Sequence, residues 1–246
     1  MKNIFNQFYL FFVGLLIISC QSKSSEVFTT SKENKTSSIS EVAQTIDIQF
    51  ESEIEHFEML DKQNGYTKNA ILFTGSSSIR KWSSLTDDMV ELPVLNRGFG
   101  GSTIPEVLYF ADRYIFQHNP QIIVFYCGEN DISKGATPQQ VFNSFKTFAE
   151  LIEERLPKTE LVYISMKPSL ARWNLWGKYE QGEALISTYI NEKPNIHYMD
   201  SSLSMLQVNG QVKSDIFIED GLHMNANGYE GWTDQLKPIL YQLYKP

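Results

Sequence analysis

Cysteine is nearly absent. The 246 residues hold two, Cys20 and Cys127, too few for a disulfide framework and without the Cys-x-x-Cys spacing of a zinc or iron–sulfur site. Basic residues are in the minority, 21 Lys and Arg against 29 Asp and Glu, for a formal net charge of −8. With no basic stripe along the chain, a nucleic-acid partner is not expected. The N-terminal apolar run, Phe8 to Ile18, is too short to span a bilayer and has the length of a signal-peptide core. Internal repeats and a second domain are also missing. What remains is ample apolar material: 42% hydrophobic and 13% aromatic residues, enough to bury one sizeable core.

Lys2 followed by the apolar run ends in Ile17-Ile18-Ser19-Cys20, which resembles the lipobox of bacterial lipoprotein signals. That resemblance implies a signal peptide over residues 1–19 and a lipidated Cys20, which would anchor the chain to a membrane surface without crossing it. Gln21, rather than an acidic residue, favours the outer over the inner membrane of the cell envelope. Residues 20–45 are rich in Ser, Thr, Lys and Glu and read as a flexible tether. The folded domain is expected over 46–246.

Within it, Phe50, Ile54, Phe57 and Leu60 follow helical spacing until Asn64-Gly65 ends the run. His56 falls among glutamates on the solvent side of that helix. Strands then alternate with helices, the pattern of a parallel sheet with crossovers. Strands are expected at 70–74, 92–96, 121–127, 160–165 and 195–199, the third buried on both faces. Helices are expected at 103–118, from Pro138 to about Leu156, at 179–191, and after an Asn225 cap, the last kinked or interrupted at Pro238.

The first strand runs through Gly75 into Ser76-Ser77-Ser78. A hydroxyl there sits at the carboxyl rim of the sheet, where open α/β folds bind ligands. A serine becomes a nucleophile when a base takes its proton. Among the histidines, His118 reads as a helix C-terminal cap and His197 lies inside a strand. His223 lies in a loop three residues after Asp220, close enough for the aspartate to hold its imidazole. Two further rim loops offer donors for an oxyanion: Gly100-Gly101, with no Cβ to block approach, and Asn130 after the central strand. Each loop taken alone also reads as an ordinary turn. Two other motifs fail on spacing: a nucleophile elbow needs glycine where Ile79 stands, and a dinucleotide fingerprint needs it at Thr103. Cys127, ending a buried strand, reads as an inert small hydrophobe.

Taken together, Gly-x-Ser after the first strand, Asn-x-Gly-x-x-Gly after the second, Gly-x-Asn-Asp after the third and Asp-x-x-His before the last helix resemble the SGNH (GDSL-type) hydrolase superfamily over about residues 70–235. The resemblance implies a flavodoxin-like α/β/α sandwich on a five-stranded parallel sheet. It aligns Ser77 with the nucleophile and Asp220 and His223 with its partners. The Ser77 and Gly101 backbone N–H groups and the Asn130 side chain align with the oxyanion hole. Ser76 stands where the family has aspartate. The implied chemistry is cofactor-free hydrolysis of a carboxylic ester through an acyl-enzyme, and the envelope setting points to an O-acetylated glycan. Alternatives are an inactive glycan-binding protein of the same fold, or a lipase or thioesterase for longer acyl chains. Lys167 to Trp176 lies at the same rim; it either lines the substrate pocket, with Arg172 and Trp173 facing the ligand, or packs its tryptophans on the domain.

Overall fold

The computed structural model describes residues 48–245; the expected signal peptide and the whole tether (20–45), Cys20 included, lie outside them. A 3-10 turn (Ile48–Phe50) enters α1 (Glu51–Asn64), which stops where Gly65 takes φ +76. The chain then lays down β1 (Ile71–Gly75), α2 (Ser77–Arg80), α3 (Leu85–Asp88) and β2 (Val94–Gly98). Next come α4 (Ile104–Tyr114), β3 (Ile122–Tyr126), α5 (Glu129–Ser133) and α6 (Pro138–Arg155). The fold closes with β4 (Glu160–Ile164), α7 (Trp176–Ile190), β5 (Ile196–Met199), α8 (Ser202–Met205) and α9 (Ala226–Leu243).

The five strands are all parallel, in the order β2-β1-β3-β4-β5. The sheet is the α/β/α sandwich that the sequence implies. Strand side chains alternate between its two faces. Leu72, Ile123, Phe125, Leu161 and Tyr163 pack with α1, α4, α6 and α7. Ile71, Phe73, Ile122, Val124, Val162 and Ile164 pack with Trp82, Tyr229, Trp232, Leu236 and Leu240 on the other side. Both faces of β3 are therefore covered, which is why Ile122–Tyr126 carries no charged residue. The order reverses between β1 and β3, so the ligand crevice of a doubly wound sheet opens at their carboxyl ends. Gly75 lies opposite Tyr126 in that register.

Several boundaries differ from the sequence expectation. β2 starts two residues late, because Leu92-Pro93 forms its approach and Pro93 supplies a carbonyl to Ile71 N–H (2.9 Å). The helix expected over 103–118 ends at Tyr114 and continues as a 3-10 turn, Phe116–His118, closed by Asn119 at φ +44. α7 begins three residues early, at Trp176. α9 runs uninterrupted through Pro238, where the missing N–H removes a single helical bond.

Candidate active site

Gly75 sets the geometry of the β1 rim. Its φ is +120, and a Cβ there would stand 1.9 Å from the Tyr126 carbonyl oxygen; no other residue fits so close to β3. The chain turns at Ser76 directly into α2. Of the three serines, Ser76 and Ser78 are 2% and 1% exposed, whereas Ser77 is half-buried and open to the rim. Ser77 is the first residue of α2, so its N–H has no intrahelical acceptor. α2 is held from behind: Tyr229 donates its hydroxyl to the Ser78 carbonyl (2.9 Å), and Trp82 stacks on Tyr229 with ring centroids 5.0 Å apart. Ser76, in the place of the family aspartate, is buried in the turn.

His223 arrives from a tight loop before α9. Ile218 N–H donates to the His223 carbonyl (2.9 Å) and Gly221 N–H to the Ile218 carbonyl (3.0 Å). Asn225 ties that loop to the helix: its side-chain oxygen accepts from Gly228 N–H, and its Nδ2 donates to the Asp215 and Phe217 carbonyls. In this setting His223 Nε2 lies 2.8 Å from Ser77 Oγ, and Nδ1 lies 2.5 Å from Asp220 Oδ2. Asp220 Oδ1 accepts from the Leu222 and His223 N–H groups at 2.9 and 2.8 Å. Partial burial pushes the Asp220 carboxyl up, but these hydrogen bonds from His223 and the two backbone amides outweigh it and hold the group down at about 2. An ionised Asp220 can only accept, so Nδ1 carries the imidazole proton and Nε2 is left to accept from Ser77.

The opposite wall comes from the β2 and β3 loops. Gly101 has φ +76 with nothing within 4 Å of a would-be Cβ, so its peptide faces open space. The loop is strapped from α1 and α2: Glu53 Oε2 accepts from Gly100 N–H (3.1 Å), Glu53 Oε1 pairs with Arg80 (3.1 Å), and the Arg80 guanidinium lies against Gly100. Asn130 donates Nδ2–H to the Ser102 carbonyl (3.0 Å) and accepts at Oδ1 from Arg172 Nη1 (3.0 Å). Its neighbour Asp131 accepts from Ile104 N–H at the start of α4 (3.1 Å), locking the β2 and β3 loops together. Burial pushes the Asp131 carboxyl up to about 7.

Beneath the crevice lies a buried ion pair that the motifs do not reveal. Lys167 Nζ contacts both Glu129 oxygens at 3.1 Å, and the Tyr126 hydroxyl donates to the same carboxylate. Lys167 and Glu129 are 1% and 4% exposed. Burial lowers the Lys167 pKa against the pull of Glu129, with Arg172 and Asp220 acting in opposite directions. The signal in the sequence is a charge three residues past the end of each of two apolar strands. Trp173 is 42% exposed and lies parallel to Trp176, centroids 6.0 Å apart. His118 is buried against Asp61, His197 faces Glu160 (2.8 Å) and His56 is exposed; none meets Ser77. Burial raises the pKa of the Cys127 thiol well above its ordinary range, in keeping with an inert core residue. Among the described residues no cluster of His, Cys, Asp and Glu is arranged to hold a metal ion.

A serine, a histidine and an aspartate in one hydrogen-bonded chain at the switch point of a 2-1-3-4-5 sheet define a hydrolase of the SGNH type. The sequence model of the GDSL-like Lipase/Acylhydrolase family matches residues 64–230, and the chain belongs to that family of carboxylic ester hydrolases. Human platelet-activating factor acetylhydrolase IB subunit alpha1 is 28% identical over 155 residues, which span 62% of this chain and 65% of that protein, just under two thirds of its length. A GDSL-like lipase from Bacteroides thetaiotaomicron superposes with a TM-score of 0.63 at 18% identity, covering 77% of this chain and 97% of that one. A mutant of an acetyl-xylooligosaccharide esterase from Geobacillus Stearmophilus superposes at 0.57 and 12% identity, over 73% and 96% of the two chains.

Proposed function

We propose that the chain is a serine esterase that removes a short acyl group, acetyl, from a carbohydrate ester. The Ser77–His223–Asp220 chain carries this reading. His223 Nε2 takes the Ser77 hydroxyl proton as Oγ bonds to the ester carbonyl carbon, and Asp220 steadies the imidazolium. The carbonyl oxygen becomes an oxyanion held by the Ser77 and Gly101 N–H groups and Asn130 Nδ2–H. The tetrahedral centre collapses, the carbon–alkoxide bond breaks, and Nε2–H passes its proton to the leaving alkoxide. Water then repeats the sequence on the acyl-serine, releasing the acid and returning the proton to Ser77. Every proton is shuttled by His223.

The acetyl assignment is supported by the name of the human relative, an acetylhydrolase, and by the acetyl-xylooligosaccharide esterase among the structural neighbours. The exposed Trp173, backed by Trp176, offers a flat face for a sugar ring at the rim. Leu170 and Ile218, also exposed on the loops around His223, favour a second reading, a longer acyl ester. Both retain the same chemistry. An intact Ser77–His223 hydrogen bond weighs against an inactive glycan-binding protein. The proposed setting is the bacterial envelope, through a lipid on Cys20, with the outer membrane favoured by Gln21. Hydrolysis of a neutral aryl acetate, with acetate release from O-acetylated glycans, tests the reading: wild type is expected to be active in both and Ser77→Ala in neither. Equal rates for the two proteins would overturn it.

A further inference from the structure

Arg172 bonds to the one side chain of the proposed oxyanion hole, and the chemistry of that contact is unambiguous. A guanidinium can only donate and the Ser102 carbonyl can only accept. The amide of Asn130 lies between them, with Oδ1 3.0 Å from Arg172 Nη1 and Nδ2 3.0 Å from the Ser102 oxygen. The two neighbours therefore demand the same orientation of the amide: oxygen toward the arginine, NH2 toward the Ser102 carbonyl. One of the two Nδ2 protons is used by Ser102, which leaves the other for the substrate oxyanion. A charge-assisted bond at Oδ1 also draws electron density from the amide and makes the remaining N–H a stronger donor.

Arg172 is in turn held in place. It is half-buried, at the start of the 3-10 turn Trp173–Leu175, and the adjoining Ala171 N–H donates to the Gly221 carbonyl (3.0 Å) in the loop that carries Asp220 and His223. Beneath it lie the buried Lys167–Glu129 pair and Tyr179. Burial and the Glu129 carboxylate raise the pKa of the Tyr179 hydroxyl while the Arg172 guanidinium opposes them. The carboxylate of Glu129 is satisfied by the Lys167 ammonium and the Tyr126 hydroxyl, and Arg172 Nη1 keeps its hydrogen bond to Asn130 Oδ1.

We propose that Arg172 is the positioning residue of the oxyanion hole, acting through Asn130 rather than by binding the substrate. The inference deepens the esterase reading and rests on it for its kinetic part. With a neutral aryl acetate, which offers no anion for an arginine to bind, Arg172→Met is expected to lower kcat by about tenfold or more while KM stays within about twofold. Arg172→Gln, which keeps a neutral donor, should fall between the two. In an Asn130→Ala background the Arg172→Met change should have almost no further effect, since a residue that works through Asn130 has nothing left to orient. A full additional loss in that background, or a rise in KM with kcat unchanged, would overturn the proposal.

A second readout does not depend on turnover. The side-chain NH2 resonances of Asn130, identified in 15N-labelled protein by their loss in Asn130→Ala, should shift in Arg172→Met while the bulk of the backbone spectrum stays in place. Unmoved resonances would contradict the proposal. If wild type and Ser77→Ala hydrolyse the aryl acetate equally, the esterase reading falls, and the amide resonances alone decide the role of Arg172.

Discussion

At the scale of residues, Ser77 is set apart from its two neighbours by burial rather than by chemistry. The three hydroxyls are alike in sequence, and only the turn after Gly75 decides which one reaches His223. Ser77→Ala should lower kcat/KM by at least about a thousandfold, whereas Ser76→Ala, away from His223, should retain most activity; side-by-side kinetics on an aryl acetate checks both. Asn130→Ala removes one of the proposed oxyanion donors and should cost about a hundredfold or more in kcat. Gly75→Ala is a folding prediction. A methyl group cannot occupy the space 1.9 Å from the Tyr126 carbonyl, so soluble yield and the melting temperature should collapse together. Ser77, Asp220 and His223, which the structure joins in one hydrogen-bonded chain, were legible in the sequence because each sits in a short local motif, as do the proposed oxyanion donors Gly101 and Asn130. Glu53 and Lys167 were not legible as parts of the site, since their partners lie 47 and 38 residues away; Arg172 was read as a residue facing the ligand, but its bond to Asn130, 42 residues away, was not foreseen.

At the scale of elements, the site is held by attachments that cross between loops. The Gly100–Gly101 loop hangs from α1 through Glu53 and is backed by Arg80 from α2. The pair is partly exposed, so its loss should cost little stability, yet it ties down the loop that carries the proposed oxyanion donor Gly101. Glu53→Ala should therefore lower kcat several-fold while thermal denaturation stays nearly unchanged. The Lys167–Glu129 pair is the opposite case. It is buried, and removing one partner strands a charge, so Lys167→Met should destabilise the fold by about 3–5 kcal/mol, measured by urea denaturation. The longer helices and the strands were read correctly from periodicity, from Pro138 at a helix start and from the Asn225 cap. The short α3, α5 and α8 were not, because four or five residues are too few to show a period. α9 passes Pro238 because its neighbours Leu236 and Leu240 are fully buried against the sheet, and that packing outweighs one missing bond.

At the scale of the whole molecule, the alternation of strands and helices was enough to indicate a parallel sheet, and the order of motifs supplied the sandwich. The electrostatic balance of the core needed coordinates. Glu183 is buried among Tyr163, Tyr198 and the Met166 N–H, and Asp131 lies between loops. Burial pushes both carboxyls up to about 7, from ordinary values of 4.5 and 3.8. The folded chain then binds more protons than the unfolded one between about pH 4 and 7. Their contribution is complete below the unfolded values and is lost as pH rises through about 7. The melting temperature should therefore be higher at pH 5 than at pH 8, and Glu183→Gln should reduce that difference. Asp220 acts the other way, with stability present above its unfolded value and lost only as pH falls toward about 2.

The central claim is that Ser77, activated by His223, forms the covalent bond to substrate. Treatment with a fluorophosphonate followed by peptide mapping tests it most directly. The account predicts a single stoichiometric adduct on the peptide containing Ser77, formed much more slowly in His223→Ala and absent in Ser77→Ala. An adduct on Ser76 or Ser78, or labelling of Ser77→Ala at the wild-type rate, would contradict it.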